Sequence, residues 1–175
     1  YQIDDVLVTR DGDREQLWIA TYGNGLWRLD ADGLVSWRES TGALDSDLLY
    51  TMATTRAPDG ESVLWVATRR GLARIKGDSV QNFGRQHGLP SDVMRNVQVW
   101  RSPDGIDVLW VATEAGVARA LANASQWHTA SLMGARGNGV FGLALEPDGA
   151  GGERLWVSAS MDGVGRYQQG RWSRY

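Results

Sequence analysis

Four short apolar runs, each containing a Leu-Trp pair, stand out in the pattern of hydrophobic and polar positions along the chain. The runs occupy residues 17–21, 64–68, 109–113 and 155–159. Their leucines, Leu17, Leu64, Leu109 and Leu155, are separated by 47, 45 and 46 residues. Short apolar runs bounded by turn residues are typical of buried strands. The pattern therefore predicts one buried strand in each of four repeats.

Three further markers surround each apolar run in a constant order. An Asp-Gly pair precedes it, at Asp11-Gly12, Asp59-Gly60, Asp104-Gly105 and Asp148-Gly149. A Gly-x-x-Arg block follows it, beginning at Gly25, Gly71, Gly116 and Gly163. A single aromatic residue comes next, namely Trp37, Phe83, Trp127 and Trp172. Because the same markers recur in one order four times, the chain is an internal repeat.

The second repeat shows the elements that each unit predicts. Residues 47–56 and 72–76 read as strands, the latter half-buried because apolar and polar positions alternate, and 63–68 is the buried run. Pro58-Asp59-Gly60 and Gly77-Asp78 have the composition of turns, and residues 80–83 form a short outer strand. Four antiparallel strands in about 45 residues are typical of a β-propeller blade. The sequence therefore predicts an all-β fold, a β-propeller made of four four-stranded antiparallel blades.

The repeat boundaries give one propeller region over residues 1–175, with blades at approximately 1–40, 41–86, 87–130 and 131–175. Three arrangements remain open at this point. Four blades could close alone, the array could be a partial ring with two uncovered blade faces, or a homodimer could complete an eight-bladed ring. The start at Tyr1, without a methionine, favours an excerpt of a longer protein.

The Leu-Trp pairs and the repeated arginines are predicted to be structural. Neighbouring strand positions point to opposite faces, so Leu and Trp enter different layers between blades. An arginine at the same place in every blade can cover an aromatic ring with its stem and pair its head with a carboxylate, which we favour over an anion-binding belt. The predicted structural residues are Trp18, Trp65, Trp110, Trp156, Arg28, Arg74, Arg119 and Arg166.

Composition and charge exclude several classes of partner. The formal net charge is −3 and the pI about 5.4, and the basic residues are scattered, so nucleic acid is not expected as a partner. No apolar run is long enough to span a bilayer, and no membrane contact is expected for this chain. The absence of cysteine excludes disulfides and thiolate chemistry. No cofactor is predicted.

Metal and catalytic sites find little support in the sequence. The two histidines, His87 and His128, occupy unrelated places in their repeats, which argues against a metal site or a triad. Acidic pairs such as Asp30 and Asp32 resemble the start of a calcium loop but lack its later ligands. Because tight turns require aspartate and glycine, turn chemistry is the better interpretation, and no metal is predicted.

The repeat resembles a known family of propeller repeats. Its blocks are Leu-Trp-[Ile/Val]-Ala-Thr, Gly-[Leu/Val]-x-Arg and a Ser-Asp-[Leu/Val] linker, the last at Ser46-Asp47-Leu48 and Ser91-Asp92-Val93. Together they resemble the two-component-regulator propeller repeat, and His87-Gly88-Leu89-Pro90-Ser91-Asp92 is close to the family's linker. The fourth repeat departs from the family, because its linker differs and its apolar run ends Ser-Ala instead of Ala-Thr.

The resemblance covers essentially the whole chain, and it implies a location and a role. Such repeats form the periplasmic or otherwise extracytoplasmic sensor region of bacterial membrane signalling proteins of the two-component or diguanylate cyclase type. The family's arrays are typically longer than four units. This chain contains no output domain, and it is therefore expected to bind a signal without being an enzyme itself.

Loops that differ between repeats are the candidate binding residues, because features common to every blade build the scaffold. The connections after the Leu-Trp strands lie near the mouth of the ring and vary in sequence. The candidates are Tyr22, Asn24, Arg69, Arg70, Glu114 and Asp162. For any one of them, a solvated loop without a ligand is the alternative interpretation.

The leading hypothesis is a non-enzymatic sensor or ligand-recognition region that binds a small molecule, a glycan or a protein signal at the mouth. The first alternative is a propeller-fold polysaccharide lyase or hydrolase, which would need a convergent cluster of Tyr, Arg and carboxylate groups. The second alternative is a protein-interaction scaffold without a small ligand.

Overall fold

The computed structural model describes residues 2–130, 139–159 and 163–175, and these residues form sixteen strands in four antiparallel sheets. The first sheet contains β1 (Gln2–Asp11), β2 (Arg14–Tyr22), β3 (Leu26–Asp30) and β4 (Gly33–Trp37). The second contains β5 (Leu49–Arg56), β6 (Ser62–Thr68), β7 (Gly71–Lys76) and β8 (Ser79–Phe83). The third contains β9 (Met94–Arg101), β10 (Asp107–Thr113), β11 (Gly116–Leu121) and β12 (His128–Ala130). The fourth contains β13 (Val140–Pro147), β14 (Glu153–Ala159), β15 (Gly163–Gln168) and β16 (Arg171–Arg174).

Each sheet is built from consecutive strands in chain order, and the sheets stack face to face as propeller blades. The inner strands lie side by side, β1 next to β5, β5 next to β9, and β9 next to β13. Single-turn 3-10 helices at Glu39–Thr41 and Arg85–His87 lead into the second and third blades. The predicted fold class, an all-β propeller array of four four-stranded blades, is confirmed. Within the described ranges, no helix is long and apolar enough to cross a membrane.

The Leu-Trp alternation builds the layers between the blades. Trp65 packs in the cluster shared with the third blade, whereas its neighbour Leu64 packs in the cluster shared with the first. The same division holds for Trp110, which faces the fourth blade, and Leu109, which faces the second. Each blade therefore has a Trp face directed at the following blade and a Leu face directed at the preceding one.

The repeated arginines lie over the repeated tryptophans. Each arginine is the cross-strand neighbour of the tryptophan of its own blade, and its guanidinium carbon lies 5.6 to 5.8 Å from the indole centroid. Two of them also pair with carboxylates, Arg28 with Asp30 and Arg119 with Glu153, each at 2.9 Å. Such cation–π contacts add to stability where the ring is desolvated.

The four blades form an open arc in the described part of the chain. On the Leu face of the first blade, Val6, Val8, Leu29 and Leu34 are 46 to 58% exposed. On the Trp face of the fourth blade, Val164 is 43% exposed. Neither face is covered by the other, so the closed ring of four blades is not the arrangement that the chain adopts.

The aromatic marker was assigned to the wrong residue in the third and fourth blades. In the third blade, Trp127 does not lie beside Trp110 but packs against Trp65 of the second blade, with ring centroids 6.1 Å apart. Trp37 and Phe83 lie beside the tryptophans of their own blades, with ring centroids 5.3 and 5.8 Å apart. In the fourth blade this place belongs to Tyr175, whose ring lies 5.5 Å from that of Trp156. Trp172 instead pairs across strands with Tyr167, on the opposite face. The outer strands differ in length, and spacing alone therefore misplaced the aromatic residue by three positions.

The glycine of the Gly-x-x-Arg block is required by the backbone, and we expect Gly25→Ala to cost about 2 kcal/mol of unfolding free energy. Gly25 has φ +71°, and a Cβ there would lie 2.3 Å from the carbonyl oxygen of Trp37. Gly12→Ala is the matched control, since φ is +62° but no atom lies within 4 Å of the added Cβ. Urea unfolding of both variants measures the difference, and equal losses would contradict the steric argument.

Candidate functional site

The mouth of the array is the end at which the inner strands begin and the second strands finish. The antiparallel register places Gln2 beside Tyr22 in the first blade and Leu49 beside Thr68 in the second. The connections after β2, β6 and β10 therefore surround the start of β1, β5 and β9. These connections carry the candidate residues that the sequence predicted.

Each inner strand has a β-bulge close to its start. The register shifts between Ile3 and Asp5 in β1 and at the matching place in the other three inner strands. A bulge changes the direction of the local side chains. The residues at the bulges are Asp4, Tyr50, Arg95 and Phe141, which differ in every blade.

Four side chains, one from each blade, form a continuous row across the mouth. Tyr22 and Tyr50 meet edge to face with ring centroids 6.3 Å apart. The guanidinium carbon of Arg95 lies 5.1 Å from the Tyr50 ring and 5.4 Å from the Phe141 ring. We call Tyr22, Tyr50, Arg95 and Phe141 the mouth row. Its two outer members are accessible, because Tyr22 is 43% and Phe141 47% exposed.

Arg95 is the charged centre of the mouth row, and Glu114 is its counter-ion. The Arg95 Nη2 donates a short hydrogen bond to the Glu114 carboxylate. Its Nε is buried and has no hydrogen-bond partner among the described residues. A partly exposed guanidinium held between two rings favours a ligand that offers a flat face together with an oxygen acceptor.

The bulges also lock neighbouring blades together beneath the mouth row. Asp5 Oδ2 accepts a hydrogen bond of 2.7 Å from the Met52 N–H of the next blade. Thr51 Oγ1 accepts one of 3.0 Å from the Val97 N–H in the same way. Because the irregular register removes a ladder partner, a side chain from the preceding blade satisfies the backbone. These bonds hold Tyr50 and Arg95 at fixed positions relative to each other.

The six residues that the sequence predicted for binding do not form one site among the described residues. Tyr22 belongs to the mouth row and Glu114 pairs with it. The Asn24 backbone serves its own turn, accepting from the Trp27 indole at 3.1 Å, and Arg69 donates its N–H to the Leu48 carbonyl.

Arg70 lies away from the mouth row. It pairs with Glu39 at 2.8 Å, in a surface cleft of about 460 Å³ that also includes Asp45 and Asp92. Asp162 lies outside the described residues. Of the predicted residues, Tyr22 therefore belongs to the mouth row and Glu114 is the counter-ion of Arg95. Arg70 lines a separate cleft.

Tyr50, Arg95 and Phe141 were missed because each stands in an inner strand and not in a loop. Alternation along a regular strand would direct these side chains into the blade interfaces. Their shared column in the repeat, beginning with Asp4, is nevertheless visible in the sequence. It is the one inner-strand column that combines an acid, two aromatics and an arginine.

A cleft of about 640 Å³ lies between the first and second blades at the end opposite the mouth. One of its acidic residues, Asp30, serves a turn and an ion pair, because it accepts the Asp32 N–H at 3.0 Å and pairs with Arg28. This local hydrogen bonding is the turn chemistry expected of the Asp-x-Asp-Gly segment. Among the described residues, no three His, Asp or Glu side chains converge as metal ligands would.

A buried carboxylate links the blades at the end opposite the mouth. Asp107 accepts two hydrogen bonds from the Arg101 guanidinium, at 2.7 and 2.8 Å, and one of 3.0 Å from the Arg56 N–H of the preceding blade. Burial alone would raise the pKa of Asp107. The hydrogen bonds from Arg101 and Arg56 and the positive charge of Arg101 outweigh burial and hold this pKa below its usual value.

Comparison with known proteins shows similarity at the level of the fold. No family model and no curated protein matches the chain. The extracellular domain of a proposed one-component system from B. thetaiotaomicron is similar, with a TM-score of 0.64 and 16% identity over 95% of this chain. The chain spans 21% of that protein.

A thermostable family-43 glycoside hydrolase is also similar, with a TM-score of 0.58 and 11% identity. The match covers 99% of this chain and 72% of the hydrolase. At these identities, the similarity shows that all three chains share the propeller-type fold. The roles of the two proteins are therefore starting points for proposals about this chain.

Proposed function

We propose that this chain is the ligand-recognition part of an extracytoplasmic bacterial sensor, that it is not itself an enzyme, and that it binds a carbohydrate at the mouth row. The signal then acts on an output domain elsewhere in the protein. The similar extracellular domain of a proposed one-component system supports the location and the sensor role. The resemblance of the repeat to the two-component-regulator propeller supports the same role.

The observation that carries the proposal is the mouth row itself. One side chain from each blade contributes to a single surface. Three of these side chains, Tyr50, Arg95 and Phe141, occupy the same position in their repeats, yet the residue type at that position differs in every blade. Exposed aromatic faces contact the apolar faces of sugar rings, and the Arg95 guanidinium provides donors for hydroxyl groups. Because all four blades contribute, a bound ligand would also stabilise one relative arrangement of the blades.

A polysaccharide hydrolase is the second candidate, and the similar family-43 glycoside hydrolase favours it. Hydrolysis of a glycosidic bond generally requires two carboxyl groups on either side of that bond. Near the mouth row, Glu114 is engaged by Arg95 and Asp4 accepts a 2.7 Å hydrogen bond from Gln2. We favour recognition over hydrolysis because both carboxylates already have close partners.

Phe141→Ala is expected to weaken oligosaccharide binding at least about tenfold while changing the unfolding free energy by less than about 0.5 kcal/mol. The Phe141 ring is 47% exposed, so its loss removes a stacking surface and little of the core. A panel of neutral and uronic-acid-containing oligosaccharides is screened by thermal shift, and binders are measured by titration calorimetry. Leu121→Ala is the matched control, because Leu121 is 48% exposed and lies away from the mouth.

The same samples distinguish the three candidate functions. Release of reducing ends from a bound oligosaccharide would show that the chain is a hydrolase and contradict the recognition proposal. If the wild-type chain binds none of the sugars but captures a defined protein, the scaffold hypothesis would be favoured over carbohydrate recognition. Equal affinities of Phe141→Ala and the wild type would place the binding surface away from the mouth row.

A further inference from the structure

The ion pair between Arg95 and Glu114 fixes the charge that the mouth row presents to a ligand. Arg95 is the one basic member of the row, and its Nη2 donates a short hydrogen bond to the Glu114 carboxylate. We infer that this pair makes the mouth row selective for uncharged sugars, and that Glu114 is the residue that discriminates against acidic ones. This inference rests on the carbohydrate recognition proposed above and specifies its substrate class.

Glu114 is held beside Arg95 by its own backbone. Its N–H donates to the Val93 carbonyl oxygen at 3.1 Å, and the next N–H, that of Ala115, donates to Thr113 Oγ1 at 3.1 Å. The carboxylate is therefore in place before any ligand arrives, and a tethered group competes well with a free one because it has less freedom to lose. A ligand carboxylate would have to displace Glu114 and leave it without its partner.

The surroundings of Arg95 admit a neutral acceptor more readily than a second counter-ion. The guanidinium carbon lies 5.1 Å from the Tyr50 ring and 5.4 Å from the Phe141 ring, and the Arg95 side chain is 26% exposed. Two rings and the Glu114 carboxylate thus flank the charged group. A sugar hydroxyl can accept a hydrogen bond there without repelling Glu114, whereas the carboxylate of an acidic sugar would lie beside a like charge, which weakens binding strongly.

Asp4 adds a second negative charge near the row. It occupies in the first blade the bulge position that Tyr50 occupies in the second. Gln2 Nε2 donates to Asp4 Oδ1 at 2.7 Å, and because Gln2 is uncharged, this bond leaves the charge of Asp4 in place. An acidic oligosaccharide along the row would therefore meet carboxylates at Asp4 and at Glu114, whereas a neutral one meets rings and hydrogen-bond donors without repulsion.

Glu114→Gln tests this inference, because it removes the charge and keeps the size of the side chain. The probes are the uronic-acid oligosaccharides of the panel and their methyl esters, which carry the same rings without the negative charge. By titration calorimetry, the wild type should bind the esters at least about tenfold more tightly than the acids, and Glu114→Gln should reduce this ratio at least about fivefold.

Glu39→Gln is the matched control. The Glu39 side chain is 48% exposed and that of Glu114 45%, and each pairs with an arginine, but Glu39 lies in the separate cleft with Arg70. This variant should keep the wild-type ratio of ester to acid affinity, because its lost charge is remote from the mouth row.

Salt provides a second measurement, which a purely structural role of Glu114 would not change. Because the pair is partly exposed, raising the ionic strength from about 0.02 to about 0.5 M screens the repulsion between Glu114 and a ligand carboxylate. The preference for esters should therefore narrow in the wild type and change much less in Glu114→Gln.

Acids that bind the wild type as tightly as their esters overturn the inference, as does a ratio that is the same in Glu114→Gln and the wild type. In both cases the chain still binds sugars, and carbohydrate recognition stands. If no oligosaccharide of the panel binds, the proposed function and this inference fail together.

Discussion

Trp65→Ala is expected to lower the unfolding free energy by about 4 kcal/mol, the largest effect of any single substitution considered. Trp65 is 0% exposed, and its indole N–H donates to Thr55 Oγ1 at 3.0 Å. Arg74 covers one side of its ring, and Phe83 lies 5.8 Å away. The substitution therefore leaves a cavity between two blades and an unpaired hydroxyl beside it. Urea unfolding followed by tryptophan fluorescence and circular dichroism measures the loss.

Trp156→Ala is the matched control for this cavity. Trp156 has the same place in its repeat, the same arginine partner in Arg166 and an indole hydrogen bond of 2.9 Å to Glu146, but it is only partly buried in this structure. We expect the loss at Trp156 to be less than half of that at Trp65. Equal losses would show that contacts within a blade, and not between blades, carry the stability.

Asp107→Asn is expected to cost about 3 kcal/mol at pH 7, because it leaves the Arg101 guanidinium and the Arg56 N–H facing an uncharged amide. Asp107 is 8% exposed, and its partners come from two blades. Glu39→Gln is the control: the Arg70–Glu39 pair is exposed, and its loss should change the unfolding free energy by less than about 0.5 kcal/mol.

The contribution of Asp107 also depends on pH, and the direction follows from its lowered pKa. The folded pKa lies below the unfolded value of about 3.9, so the stabilisation is complete well above this value. It is lost as the pH falls from there through the folded pKa. The difference in unfolding free energy between wild type and Asp107→Asn should therefore shrink from pH 7 to about pH 3. A difference that is constant over this range would assign the effect to packing and not to charge.

The fold could be predicted because the repeat exposes the interface pattern directly. Leu64 and Trp65 are neighbours in a strand and must lie on opposite faces, and each reappears at the same place in every unit. The outer strands were less predictable, since they contact fewer residues and their turns vary in length. This variation is the reason that Tyr175, and not Trp172, accompanies Trp156.

The candidate site was predictable only where it lies in loops. Tyr22 and Glu114 were identified from the variable connections at the mouth. Tyr50, Arg95 and Phe141 were not, because a β-bulge reverses the direction that strand alternation predicts, and bulges leave no distinctive residue in this sequence. The sequence could not show whether the ends of the arc are covered. This depends on contacts between distant blades, and no local sequence pattern predicts such contacts.

The continuity of each blade in sequence has a consequence for how this protein is made and how it changes. No strand is borrowed from a distant part of the chain within the described residues, and each sheet is complete once its own 35 to 37 residues are present. A ribosome-bound chain can therefore finish one blade, with its hydrogen bonds satisfied, while the next is still being synthesised. Unequal recombination between repeats would likewise add or remove a whole blade and keep every remaining sheet intact.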